Sequence, residues 1–219
     1  MNTTTETIAG EMPIEEIQAI FAPSFKERSY AMLCELSPHV HIGEATHMRL
    51  LPDTEEEFLQ YLQSNEDKNL YFTEGASGAA KHKNRVGDGD ITYKSHFCID
   101  IDYRSFHPDC EDAEILSCAR RIVPLIDEHV MFKHWRMIVF SGNGIHIHYI
   151  GSPTVINSKN AWANGLRYTL EEFKRVTGLT DEVDMTCVNT SRLFRIPGTY
   201  NVKGQKKFVS ILYENYEQY

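Results

Sequence analysis

Apolar and polar positions recur at two different periods along this chain, and the switches between them outline its elements. From Glu111 to Val130, Ile115, Ala119, Ile122 and Ile126 follow helical spacing, with Pro124 placed to kink the helix. Ser158 to Thr177 reads as a second long helix, ended by Gly178. A shorter helix runs from Thr54 to Leu62. Asp53 or Thr54 can cap it, and Glu55, Glu56 and Glu57 put acid in its first turn, where the helix dipole favours it. Strand-like runs are Asn69 to Phe72, Ser95 to Tyr103, Arg136 to Phe140, Ile145 to Ile150, Arg192 to Ile196 and Lys207 to Leu212. Ser141-Gly142-Asn143-Gly144 joins two of them, and Asn-Gly is the strongest short hairpin signal. Pro13 to Leu36 has mixed helical periodicity broken near Pro23, the first ten residues are polar enough to fray, and Gly75 to Asp90 has the composition of a mobile loop. The order predicts an α+β fold around an antiparallel sheet, with no internal repeat and no sharp domain boundary.

Bulk properties narrow the class. The 219 residues suffice for one sizeable core or two small packed lobes, and 42% hydrophobic with 24% charged residues is an ordinary globular composition. No apolar run approaches the ~20 residues that span a membrane. The N-terminus lacks a basic region followed by an apolar stretch, so no signal peptide is expected and the expected location is cytoplasmic. Five cysteines, with no CxxC spacing, argue against a disulfide framework and a zinc ribbon and read as reduced thiols.

The net charge of −9 is awkward for a nucleic-acid enzyme, since a basic face normally supplies non-specific affinity. Its distribution softens the objection. From Met185 to Tyr213 there is no acid, while Arg192, Arg195, Lys203, Lys206 and Lys207 are present. A second basic run is Lys81-His82-Lys83-Asn84-Arg85, which is also what a solvated face looks like.

Three separated segments offer chemistry. In Cys98-Ile99-Asp100-Ile101-Asp102, strand geometry puts Asp100 and Asp102 on one face, where like charges raise the cost of ionising both unless a divalent cation lies between them. The competing reading is a strand end whose acids cap a loop or pair with Arg104. In Ser141-Gly142-Asn143-Gly144-Ile145-His146, the glycines expose N–H groups able to cradle phosphate oxygens, and His146 shares a face with His148. The competing reading is a plain surface hairpin. Asp184, between Val183 and Met185, can add a third carboxylate, with Asp181 and Glu182 as near competitors. Arg192 and Arg195, with Lys203 beyond the Pro197-Gly198-Thr199 turn, supply fixed positive charge suited to triphosphate oxygens.

Taken together these segments resemble the archaeo-eukaryotic primase superfamily, in particular the primase-polymerases of mobile elements. The matches are Ile99-Asp100-Ile101-Asp102, Ser141 to His146, Val183-Asp184, and the run from Asn189 to Lys203. The resemblance covers roughly residues 69–207, inside a single catalytic domain of 1–219 whose residues 1–68 have no clear role. It implies an α/β N-terminal unit packed on an RRM-like antiparallel sheet, with the active site in the cleft. It implies a template-directed nucleotidyltransferase, a DNA primase or polymerase. Asp100, Asp102 and Asp184 would hold two Mg²⁺ or Mn²⁺ ions. Ser141, Gly142, Asn143, Gly144 and His146 would bind nucleotide phosphates, and Arg192, Arg195 and Lys203 would neutralise developing charge. Its partners would be nucleoside triphosphates and single-stranded or primed DNA, with a helicase or accessory domain in trans as a candidate. The zinc module of some relatives has no counterpart in this sequence.

Two other readings compete. A rolling-circle or relaxase-type endonuclease uses a His-hydrophobic-His metal site and a Tyr-x-x-Lys tyrosine, which His146, His148 and Tyr200 with Lys203 would match. That tyrosine belongs on a helix, and Pro197-Gly198 and Gly204 argue against one here. A non-catalytic RRM-like nucleic-acid-binding module would instead present Phe140, Tyr149 and Phe194 on an exposed sheet.

Overall fold

The structure is a computed structural model, and it describes residues 30–36, 48–50, 55–76 and 86–215. The expected frayed first ten residues, the Asp53 or Thr54 cap and the Lys81–Arg85 run lie outside the described residues, as does most of Pro13 to Leu36. The end of that last segment is a strand rather than a helix: β1, Tyr30–Leu36, pairs antiparallel with β2, Met48–Leu50, and with β3, Asn69–Ala76.

The three predicted helices are present. The first, α1, is Glu55–Gln63. After β4, Tyr93–Ile101, the chain makes a single helical turn, α2, Tyr103–Phe106. Then α3 runs Asp112–Glu128 and buries Ile115, Ala119, Ile122 and Ile126, the four positions its periodicity marks, together with Cys118. Pro124 sits inside it without ending it. The hairpin strands are β5, Met137–Phe140, and β6, Ile145–Val155, paired Phe140 with Ile145. In α4, Lys159–Thr177, Ser158 Oγ accepts from the N–H of Ala161, and Gly178 ends the helix at φ +72°, the left-handed conformation a glycine takes without steric cost. Four short strands follow: β7, Phe194–Arg195; β8, Tyr200–Asn201; β9, Lys207–Phe208; and β10, Ser210–Glu214.

Two four-stranded sheets result, both antiparallel where paired, so the fold is α+β as the sequence implied. The larger has the order β10-β5-β6-β4. On the outer side of β4, Ile101 forms an antiparallel bridge with Val183. Counting that bridge as a last, minimal strand, β4-α3-β5-β6-α4-Val183 is a β-α-β-β-α-β unit, the split pattern of RRM-like sheets, with β10 added at the far edge. This topology brings the segment after α4 back beside β4, more than eighty residues away in sequence.

Side-chain alternation then builds two cores on the two faces of this sheet. Ile99, Ile101, Ile138, Ile145 and Ile147 pack under α3 and α4, with Phe132 and Phe173. Cys98, Met137, Val139 and Ile211 face the other way, against Leu70, Phe72 and Phe194 of the second sheet, β2-β1-β3-β7, and Phe58 and Leu62 of α1. The polar residues of interest lie on this second face, at the end where the sheets meet. No described helix is long and apolar enough to cross a membrane.

Candidate active site

Asp100 is the penultimate residue of β4, on the face toward the second sheet and opposite His146 of β6 in register. The Val183 bridge sets Asp184 alongside it: the Asp184 N–H donates to the Asp100 carbonyl at 2.9 Å, and the Asp102 N–H donates to the Glu182 carbonyl at 2.7 Å. Two carboxylates from remote segments thus share one small volume. Cys187, three residues on, completes the group, since its Sγ and one carboxylate oxygen each of Asp100 and Asp184 lie within 4.8 Å of one another. Asp102 is exposed, one step past the end of β4.

The electrostatics follow from this crowding. Burial, and then the charge of Asp184, push the Asp100 carboxyl up to about 6 against the pull of Arg192. Burial, Asp100 and Asp184 also raise Asp102, opposed by Lys203 and Arg192. Burial raises Asp184 too. Hydrogen bonds from the Thr186 hydroxyl at 2.6 Å, the Thr186 N–H at 2.8 Å and the Cys187 thiol at 3.1 Å, with Arg192, more than offset this and hold it below its ordinary value. Arg192 is the cation of the group, its Nη2 lying 2.5 Å from Asp184 Oδ2 and 3.9 Å from Asp100 Oδ2. His146 Nε2 faces Asp100 Oδ1 at 3.5 Å. Burial, then Arg195 and Arg192, pull the His146 imidazole down to about 3, so it is neutral at physiological pH.

The hairpin turn and the 200–203 loop are locked together beside these acids. The Asn201 amide donates to the Ser141 carbonyl at 3.0 Å, and the Lys203 N–H donates to Asn201 Oδ1. Gly142 has φ +93°, and a Cβ there would come 2.8 Å from the Asn201 Cβ. A Cβ on Gly144 would strike the Ile101 carbonyl oxygen at 1.9 Å. Both glycines are required by close approach to the strand and loop that carry Asp100 and Lys203. The Asn143 carbonyl accepts from the Arg104 N–H, which fastens the turn to α2.

Arg195 is placed differently from Arg192. It is 5% exposed, with Nη1 donating to Asn69 Oδ1 and Nη2 to the Tyr71 hydroxyl, both at 2.7 Å. Its guanidinium also lies 4.6 Å from the Tyr71 ring centroid. It still feels Asp100 electrostatically, but its donors are committed to β3. Lys203 is exposed, and its charge acts on Asp102. Arg104 donates to Asp112, with which Lys207 also pairs, so the Arg104 alternative for Asp100 does not describe this region.

Sequence reasoning missed three contributors. Cys187 reads as one more reduced thiol until the turn after Asp184 aims it at the acids. Asp88, on a single 3-10 turn, accepts from the Ser191 N–H and hydroxyl, the Thr190 hydroxyl and the Asn189 amide, so it pins the loop carrying Arg192. Asn69 accepts from both Arg195 and the Val202 N–H.

The endonuclease constellation does not assemble in this way. Tyr200 is in the two-residue strand β8, its ring edge-on to Phe208 with Lys206 Nζ 3.9 Å from its centroid. His148 is fully buried and paired with His96. Phe140, Tyr149 and Phe194 are buried as well, so they present no stacking platform on an open sheet.

No protein-family model matches the chain, and no curated protein matches it. Among solved structures, it is similar to the primase RepB' at 9% identity and TM-score 0.48, covering 90% of this chain and 55% of that one. It is similar to the catalytic domain of primase RepB' in complex with initiator DNA, at 9% identity and TM-score 0.49, covering 92% and 84%. A third is the polymerase domain of Mycobacterium tuberculosis Ligase D in complex with DNA, at 11% identity and TM-score 0.46, covering 90% and 78%. These are likenesses of chain trace.

Proposed function

We propose that this protein is a template-directed nucleotidyltransferase of the primase-polymerase kind, joining nucleoside triphosphates on single-stranded or primed DNA. The observation that carries the reading is the pairing of Asp100 with Asp184 across the Ile101–Val183 bridge, with Arg192 drawn onto both. The donor set fits a divalent ion. Two carboxylates that raise each other's cost of ionisation, partly neutralised by a guanidinium, are the surroundings an Mg²⁺ or Mn²⁺ ion relieves. Asp100 and Asp184 would hold one such ion, and exposed Asp102 would share a second with them. Bound ions of this type supply Lewis-acid stabilisation of phosphoryl oxygens and lower the pKa of an attacking hydroxyl.

The remaining roles belong to side chains. Arg192, relieved of Asp184 by a metal ion, is free to turn its fork to triphosphate oxygens. Exposed Lys203 adds positive charge that acts on Asp102. The Ser141–Gly144 turn offers backbone donors beside them, and His146 holds Asp100 in place. Arg195 ties β7 to β3 through Asn69 and Tyr71. A helicase or accessory domain in trans would supply the DNA affinity that a net charge of −9 discourages.

The test is nucleotide incorporation on a single-stranded template, with and without an annealed primer, in Mn²⁺ or Mg²⁺. Asp100→Ala/Asp102→Ala is the control. Metal-dependent products lost in the double variant are expected, and unprimed products would make the activity a primase. Template nicking with the protein left covalently on a 5′ end through Tyr200 would replace this reading with the endonuclease one.

A further inference from the structure

Behind Asp100, on the same sheet face, lies a second group of ligand-type side chains, of which the proposed reaction uses His146 alone, to hold Asp100. Met137, His148 and Cys98 form one row across β5, β6 and β4, and His146 stands in the next row, opposite Asp100. Cys98 is 3% exposed, His146 7% and His148 0%. Cys98 Sγ and one ring nitrogen of each histidine lie within 4.8 Å of one another.

The two nitrogens of each ring have different surroundings. His148 Nδ1 is 2.8 Å from His96 Nε2, and His146 Nε2 faces Asp100 Oδ1 at 3.5 Å. The other two, His148 Nε2 and His146 Nδ1, are buried without a hydrogen-bond partner. A buried polar atom left without a partner is destabilising, and a native fold seldom keeps two side by side. Histidines that bind metal show this same division: one nitrogen on the ion, the other held by a carboxylate, carbonyl or imidazole.

We propose that Cys98, His146 and His148 form a buried binding site for a thiophilic transition ion, Zn²⁺ or Cu⁺. One thiolate and two imidazoles are soft to intermediate donors, unsuited to Mg²⁺ and suited to these ions. Met137, buried beside His148 in register, adds a thioether to the row. On loading, the Cys98 thiol proton leaves to the buffer as the sulfur–metal bond forms, so one charge of the ion is neutralised locally. Coordination at His146 Nδ1 fixes the ring proton on Nε2, aimed at Asp100, and so ties this site to the orientation of the acid next door. The inference stands whether or not the chain polymerises nucleotides.

The test uses the full chain, purified under reducing conditions and stripped with a chelator. It is then titrated with Co²⁺ as the Zn²⁺ probe, or with Cu⁺ against a chromophoric Cu⁺ chelator. The expected result is about one ion per chain retained through dialysis, with a thiolate-to-cobalt charge-transfer band in the Co²⁺ arm. That band is lost in Cys98→Ala and kept in Cys187→Ala. Failure to retain either ion overturns the proposal. So does a band that survives Cys98→Ala but vanishes in Cys187→Ala, which would put the ion among the carboxylates. Cys98→Ser serves where the alanine variant does not fold. X-ray absorption of the loaded wild type reads the shell directly, and a shell without sulfur overturns the site.

Discussion

Arg192 lies across Asp184, Nη2 to Oδ2 at 2.5 Å, and the same nitrogen reaches to 3.9 Å from Asp100 Oδ2. It therefore does for the metal-free protein what a divalent ion would do on loading. Removing it leaves two crowded carboxylates without their cation. Arg192→Ala should lower the thermal midpoint in a chelator at pH 8, and Mn²⁺ should restore more of it than it adds to the wild type. Nucleotide KM should rise about 10- to 100-fold, since a charge-assisted bond is worth about 1.5–3 kcal/mol. Arg192→Lys should recover stability better than KM, because an ammonium lacks the fork. Scanning calorimetry and steady-state incorporation read the two effects separately.

Asp88 reaches Ser191 across 103 residues and accepts four hydrogen bonds from the 189–191 turn. Those bonds aim the loop rather than fill a core. Asp88→Ala should cost about 1–2 kcal/mol of stability but lower kcat/KM by about 10-fold or more through misplacement of Arg192. Asp88→Asn, which keeps the acceptor oxygen, should recover most of the stability. A denaturation midpoint that falls with kcat/KM unchanged would remove the link from Asp88 to catalysis.

What the sequence made legible was whatever has a local period or a local cap. The Ile115–Ile126 stripe, the Gly178 stop and the Asn143-Gly144 turn each act within a few residues, and each is present as expected. Asp100 and Asp184 were legible as chemistry, and as neighbours only through the family resemblance; the Val183 bridge that joins them is one residue long. Tyr30–Leu36 was misread because a strand between two others carries no clean alternation of its own. Arg195 in a two-residue strand gives no sign of facing inward to Asn69 and Tyr71. Asp88 and Cys187 act through turns and partners that leave no trace in nearby residues.

Glycine substitutions should separate close approach from mere flexibility. A Cβ at Gly144 meets the Ile101 carbonyl oxygen, a backbone atom on the strand that carries Asp100. Gly144→Ala should therefore destabilise by several kcal/mol or prevent folding, an effect of overpacking on backbone. Gly165 lies within α4, and a Cβ there meets nothing within 4 Å. Gly165→Ala should stabilise by about 0.5–1 kcal/mol through helix propensity. Urea midpoints of the two variants should thus move in opposite directions from the wild type.

Acidification should expose a competition between Asp100 and the buried histidines. Burial pulls His146 down to about 3 and, helped by the neighbouring imidazoles, holds His96 and His148 well below their ordinary value. Their folded pKa values are depressed, so below about pH 6.5 the unfolded chain takes up protons that the fold refuses, and stability falls with pH. Asp100 has the opposite sign. Its folded pKa of about 6 lies above the unfolded one, so between about pH 6 and 4 the folded state binds a proton first and stability rises as pH falls. Three depressed imidazoles oppose two raised carboxyls, Asp100 and Asp102, so unfolding in that window takes up protons on balance. The metal-free protein should lose stability from pH 6.5 to 4.5, and Asp100→Asn, which removes one opposing group, should steepen the loss by about one proton. Denaturation free energies measured at half-unit pH steps give both slopes. A wild-type curve flat across this range would mean the three imidazoles are already charged in the fold.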